Sequence, residues 1–544
     1  MDLGVQLTPA RIAANRHAGL WPDRLLLDYL ADALHARPDH LALTEHNSTT
    51  GRNTSLSYRQ LDRLRRRVAV GLLKHGIAQG DVVSFQLPNW WQFVVTHLAC
   101  LSIGAISNPV MPIFRERELG FMLGFAESRC FIVPASFRGF DYPAMAAGLR
   151  ASLPALAQVF VVGGTGADSF EGVLVDRRWE DEADADALLA KRRPGPNDVI
   201  EMLYTSGTTG QPKGVMHTSN TLLGTVLPYI ERVSLSQRDV VLMGSPMAHQ
   251  TGFLYGLMMP IMLGTRSVLM DIWNAEAAVR LIHDERVSFS MGATPFLADL
   301  AATPSVERYD ISCFRTFLSA GAPIPRVLVE QATHRLKATI LSGWGMTENG
   351  CVTAARPNDL PEKVFGTDGA AVRGFEVRIV DDAGHVLPSG SEGHLQMRGA
   401  GTFVGYLKRP QAYDCDGEGW FKTGDVARMD SEGYIRITGR AKDIIIRGGE
   451  NIPVVEVEEV LYRHPAVQDA AVVGMPDARL GERGCAFVTL KPGQRLNFEE
   501  MIQYLQANRM TKNYMPERLE VVDAMPRTPS GKIQKFRLRE RFAS

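Results

Sequence analysis

The run VIEMLYTSGTTGQPKGV, residues 199–215, opens as a short apolar strand and ends as a loop crowded with glycine and hydroxyl groups. In open α/β sheets ligands bind at the carboxyl ends of the strands, so such a loop marks both a sheet and its ligand edge. Gly207 and Gly210 let backbone N–H groups turn inward and approach a ligand closely. Thr205, Ser206, Thr208 and Thr209 add hydroxyl donors, and Lys213 adds positive charge suited to a polyphosphate. The GxxxxGK[ST] spacing is absent, which excludes a Walker loop.

Outward from this loop, short β-branched runs recur at 82–87 (VVSFQL), 131–133 (FIV) and 159–164 (VFVVGG). Further runs ending in glycine or proline lie at 240–246, 289–295, 316–321 and 339–345. They read as buried parallel strands, each followed by small or polar residues. Helical patterns separate them. After Ser57, Gln60 completes a capping box, and Leu61, Leu64, Val68 and Leu72 share one face. Arg63, Arg65, Arg66 and Arg67 read as the solvated face of that helix, because no aromatic residues interleave with them. The most apolar stretch, 90–107, is broken by Gln92, Thr96, His97, Ser102 and Gly104 and reads as a buried helix. A membrane span needs about 20 apolar residues without such interruptions.

At 544 residues the chain exceeds one core, and roughly three or four domain-sized units are expected. A composition of 45% hydrophobic and 22% charged residues with a net charge of -1 gives no electrostatic case for nucleic acid or an anionic membrane. The six cysteines lack CxxC spacing, so neither a disulfide framework nor a zinc site is expected, and reduced thiols point to the cytoplasm. Asp2 and Asp23, with no apolar core segment between them, argue against a secretory signal. Residues 439–461 read as a boundary: a glycine-rich, charged segment, then a fresh helix near Pro453. Strands follow at 469–475, 486–490 and 519–525. The hinge is placed at 441–443, giving domains 1–441 and 442–544.

The loop at 204–215 resembles the phosphate-binding loop of the adenylate-forming superfamily, which includes acyl-CoA synthetases, luciferases and peptide-synthetase adenylation domains. Further segments match in the family's order: PMAHQTG (246–252), SAGAPIP (319–325), GWGMTE (343–348), WFKTGD (420–425), GRAKDIIIRGGENI (439–452) and PRTPSGKIQK (526–535). Coincidence across nearly the whole chain is improbable, roughly below 1 in 100. The resemblance implies an α/β fold: a large N-terminal domain of stacked, helix-flanked sheets with ATP and acyl pockets, and a small mobile C-terminal α/β domain. It also implies two steps, acid plus ATP to acyl-AMP and pyrophosphate, then acyl-AMP plus coenzyme A to acyl-CoA and AMP.

The roles follow from the resemblance residue by residue. Glu348 is a hard oxygen ligand for Mg²⁺, with Thr205 assisting, and Thr347 donates to the α-phosphate. Trp344, where tyrosine is commoner, stacks on adenine, and Gly321 and Ala322 let adenine lie against backbone. Asp425 accepts the ribose hydroxyls, assisted by Arg440. Lys532 is the catalytic lysine that offsets the repulsion between carboxylate and α-phosphate. Lys442 is the pivot of a domain rotation that brings Gly448, Gly449 and Glu450 to line a pantetheine tunnel. Arg447 and Arg483 meet CoA phosphates or are surface charges. His249 gates tunnel from pocket.

Amino-acid adenylation domains carry an Asp near the gate, whereas Ala248 and His249 stand here, so a plain carboxylic acid is implied. With Lys532 so near residue 544, no carrier domain is expected to follow. GATPF at 292–296 and TGFLYG at 251–256 are most similar to cyclohexanecarboxylate-CoA ligases and short- to medium-chain fatty acyl-CoA ligases. Expected pocket walls are Phe253, Leu254, Gly292, Ala293, Thr294 and Ser319. The alternatives are an acyl-AMP ligase feeding a carrier protein and an aromatic (benzoate-like) acid CoA ligase. The expected partners are small molecules, with the protein a monomer or homodimer.

Overall fold

A computed structural model describes residues 2–205, 211–321, 324–441, 445–447, 450–452, 454–477, 479–510, 512–528 and 531–542. Among these, two large sheets form the body of the molecule, one of nine strands and one of six. The apolar runs seen in the sequence are their central strands: Val82–Phe85, Cys130–Pro134 and Gln158–Val162 run parallel in the smaller sheet. Val240–Met243, Phe289–Gly292, Thr316–Ala320 and Thr339–Met346 run parallel in the larger. One apolar core spans both, from Val83 and Phe85 to Val241 and Leu269.

The helices between the strands obey local chemistry. In Tyr58–Lys74 the Ser57 hydroxyl accepts from Gln60 N at 3.3 Å while the Gln60 side chain accepts from Ser57 N at 2.8 Å, the expected capping box. The apolar stretch forms the helix Trp91–Ile103, buried along nearly its whole length and ended by Gly104 at φ 68°. No described helix is long and apolar enough to cross a membrane.

The arginines of Tyr58–Lys74 depart from expectation. Arg65 donates to Asp62 and to Ser102 Oγ at 2.6 and 2.9 Å, and Arg67 pairs with Glu180, so two of the four are largely buried ion-paired groups. Asp62 is an i,i+3 partner on the same helix face, whereas Glu180 lies far along the chain, where helix periodicity does not reveal it.

A four-stranded antiparallel sheet, Phe375–Val380 to Ile435–Arg440, carries the chain toward the boundary. Beyond it the helix Val454–Tyr462 packs on the hairpin of Val467–Asp477 and Gly481–Leu490, with Arg518–Val521 parallel to the latter. This unit has its own core, including Ile445, Val457, Leu461, Val472 and Leu505. It touches the larger body through Glu459, whose carboxylate lies 3.4 Å from both Arg326 and Arg436, and through Gly531, seated against Pro295. The expected pivot Lys442 and hinge residue Asp443 lie outside the described residues.

Candidate active site

The strands Val199–Thr205 and Lys213–Thr218 pair antiparallel with Thr205 opposite Lys213, so both ends of the glycine-rich loop leave the sheet together. Ser206, Gly207, Thr208, Thr209 and Gly210 lie outside the described residues, as do Ala322, Gly448 and Gly449. A cavity of about 760 Å³ opens beside the loop ends, within the range of small-molecule sites. Thr205, Lys213, His249, Gly321, Trp344, Thr347, Glu348, Arg440 and Lys532 all line it.

The hairpin of Thr339–Met346 and Gly350–Ala354 supplies Trp344, Thr347 and Glu348. A Cβ on Gly345 would lie 1.8 Å from the Gly350 carbonyl, so only glycine lets these strands close. Glu348 is 6% exposed, and its Oε1 accepts from the Tyr406 hydroxyl at 2.8 Å. Burial raises its carboxyl above the ordinary range, opposed by that hydrogen bond and by Arg440 and Lys532. Lys213 sits with its Nζ 4.7 Å from the Tyr406 ring centroid. The main-chain carbonyl of Thr347 meets His217 Nε2 at 2.8 Å.

Asp425 is 2% exposed and joins two of the expected ligands. Its Oδ2 accepts from the Trp344 indole N–H at 2.9 Å, and its Oδ1 pairs with Arg440 Nε at 2.8 Å. A carboxylate offers about four lone-pair positions, so acceptor capacity remains on Asp425, which sits just behind the cavity lining formed by Thr423, Gly424 and Arg440. Lys532 stands next to Gly321, whose φ of +85° favours glycine, with its Cε 3.5 Å from where a Cβ would lie. Burial and the Arg440 guanidinium bring its ammonium down to about 8, while Asp425 and Glu348 work in the opposite direction. His249 accepts from Thr251 N through Nδ1 at 3.3 Å, and burial, with Lys532 nearby, brings its imidazole down to about 3. At that value the imidazole is neutral near neutral pH.

Of the six expected pocket walls only Leu254 lines the cavity; Gly292, Ala293, Thr294 and Ser319 are not among its lining residues. Phe253 is turned into the core with its ring edge-on to His97 at 4.7 Å. Thr251, Tyr255, Met291 and Cys351 form the lining instead. Thr251 comes from the short helix Gln250–Gly252, Tyr255 from a π-helical turn at Phe253–Met258, and Met291 and Cys351 from strands; a π turn shifts which side chains face inward. Tyr406, which fixes Glu348, carried no sequence signal, being brought in from 58 positions away. Arg447 is paired with Glu517 at 2.6 Å and Arg483 with Asp477 at 2.7 Å. In this arrangement of the molecule both are structural ion pairs.

Residues 30–407 match the AMP-binding enzyme family and residues 456–532 the AMP-binding enzyme C-terminal domain. The chain belongs to the AMP-binding enzyme family, with its adenylate-forming fold. It is 39% identical over 547 residues to the medium-chain fatty-acid–CoA ligase of Escherichia coli (strain K12), covering 99% of this chain and 94% of that protein. It is 32% identical to the 2,3-dihydroxybenzoate-AMP ligase of Bacillus subtilis (strain 168), covering 96% and 95%. Among solved structures it is similar to the anthranilate CoA ligase AuaEII in complex with anthranoyl-AMP, with a TM-score of 0.85, 25% identity, and 96% and 97% of the two chains covered.

Proposed function

We propose that this chain converts a short- to medium-chain or cyclohexanecarboxylate-like acid into its CoA thioester through an acyl-adenylate. Its class is an AMP-forming acid–CoA ligase. The observation that carries the finer reading is the meeting of Lys532, Arg440 and Glu348 at a cavity that is also lined by Leu254, Met291 and Cys351. Cations gather where a carboxylate must approach the α-phosphate, and apolar groups gather where the acyl part would lie. Lys532 holds its positive charge against the two negative reactants, and Asp425, fixed by Trp344 and Arg440, receives the ribose. Thr347 donates to the α-phosphate, and His249 stands between acid and thiol.

The glycine-rich loop and Lys213 bind the polyphosphate. No group of three His, Cys, Asp or Glu side chains among the described residues could hold a metal by itself. That suits Mg²⁺, which keeps waters and substrate phosphates as most of its ligands and needs only one or two protein oxygens. Glu348, whose buried carboxylate has Oε1 held by Tyr406, would bind it with Thr205, and the ion would neutralise charge on the leaving pyrophosphate.

Domains 1–441 and 442–544, turning about Lys442, would alternate between the two half-reactions. The protein would act in the cytoplasm, in keeping with six free cysteines. A second reading, adenylation of an aromatic acid, draws on the similarity to the 2,3-dihydroxybenzoate-AMP ligase. A screen for CoA-dependent AMP release decides between them. Linear C6 to C10 acids and cyclohexanecarboxylate should give the highest kcat/KM, and a preference for benzoate or dihydroxybenzoate would overturn the aliphatic assignment.

A further inference from the structure

Glu201 lies fully buried in the strand Val199–Thr205, the strand that leads into the phosphate loop. Side chains alternate along a strand, so Glu201 shares its face with Leu203 and Thr205. It stands opposite His217 on one neighbouring strand and beside Ser107 on the other. Neither of its carboxyl oxygens has a hydrogen-bond partner, and no described arginine or lysine pairs with it. The groups around it are neutral: burial brings the His217 imidazole down to about 4, against the pull of the Thr347 carbonyl. His97, whose Nδ1 meets Ser107 Oγ at 2.9 Å, is brought down to about 3. An unpaired carboxylate in such a place costs far more than a protonated carboxyl, and burial drives Glu201 well above its ordinary range; the Gln250 side chain lies near enough to oppose that shift but not in hydrogen-bond geometry.

Gln250 is the second half of the observation. It follows His249 directly, lines the cavity, is 3% exposed, and has both side-chain amide atoms unpartnered. Two adjacent buried polar groups, each unsatisfied, call for each other and for something in the cavity. A protonated carboxyl has one O–H to give, and the amide oxygen is the acceptor beside it.

We propose that Glu201 is a positioning residue: as a neutral acid it donates to Gln250 Oε1 and so turns the Gln250 N–H₂ toward the cavity, where it donates to the carboxylate of the incoming acid next to His249. The proposal rests on the acid-activating reading above. It gives the cavity a fixed donor without adding a second charge, so Lys532 keeps its role in offsetting repulsion. Glu201 itself touches no substrate.

The test uses the full chain with an acid the wild type accepts. Glu201→Met should raise KM for the acid about 10-fold with KM for ATP unchanged, the loss expected when one donor is no longer held. Glu201→Gln, which keeps a neutral donor, should stay near wild type. Gln250→Leu should reproduce the acid effect, and the double variant should be no worse than Gln250→Leu alone. Infrared difference spectra of wild type minus Glu201→Gln should show a protonated-carboxyl C=O band at pH 8. That band is readable even if Glu201→Met fails to fold. Additive single effects, a rise in ATP KM instead, or absence of the band would each overturn the proposal. If the wild type activates no acid while the band is present, the acid-activating reading fails and the neutral Glu201 stands.

Discussion

Lys532 is the residue on which the proposed chemistry turns. Its ammonium lies among Arg440, Asp425 and Glu348, and its value of about 8 sets a pH window. The charged form is the one that offsets repulsion, and it prevails below that value. Adenylate formation should therefore fall as pH rises through about 8, read from the alkaline limb of kcat/KM for pyrophosphate release. An alkaline limb unchanged in Lys532→Arg, which stays charged, would contradict this assignment. Lys532→Ala should slow adenylation by about 100-fold or more. It should leave thioester formation from preformed acyl-adenylate within about 10-fold of wild type, since that step does not bring carboxylate onto phosphate. Equal loss in both steps would remove Lys532 from its role. None of this electrostatic setting was legible in the sequence: the motif at 526–535 marked the lysine, but its neighbours come from residues 348, 425 and 440.

At the scale of elements, the site depends on the hairpin that presents Trp344 and Glu348. Gly345→Ala would drive a Cβ into the Gly350 carbonyl, a backbone atom that cannot move without parting the strands. It should lower thermal stability and abolish ATP binding together, as checked by melting curves and nucleotide titration. Ser57→Ala, far from the cavity, should instead cost about 1 kcal/mol of stability through its lost helix cap and leave ATP affinity untouched. The elements themselves were largely legible. Buried parallel strands announce themselves as short β-branched runs, and the capping box at Ser57 is written in adjacent residues. The part of the cavity lined by Tyr255 was not, because the π turn at Phe253–Met258 breaks the 3.6-residue rhythm of an α-helix. The same blindness hid Glu201, whose strand looked like any other apolar run.

At the scale of the molecule, two units with separate cores meet where Lys532 enters the cavity. Gly531 against Pro295 and Glu459 between Arg326 and Arg436 seat the C-terminal unit with Lys532 in the cavity lining. This is the arrangement that the proposed adenylation step would use. Motif order along the chain already implied two units, since the match continues past 439–452 into a region with its own strands. How they dock was beyond the sequence, because the ion pairs that join them are isolated charges on otherwise ordinary helices and strands. The central claim, activation through an acyl-adenylate followed by thiol transfer, is tested most directly by isotope. With an acid labelled with ¹⁸O in its carboxylate, ATP and coenzyme A, each turnover should place one ¹⁸O in the phosphate of AMP and release unlabelled pyrophosphate. Label in inorganic phosphate with ADP as the nucleotide product, or AMP free of label, would contradict the account.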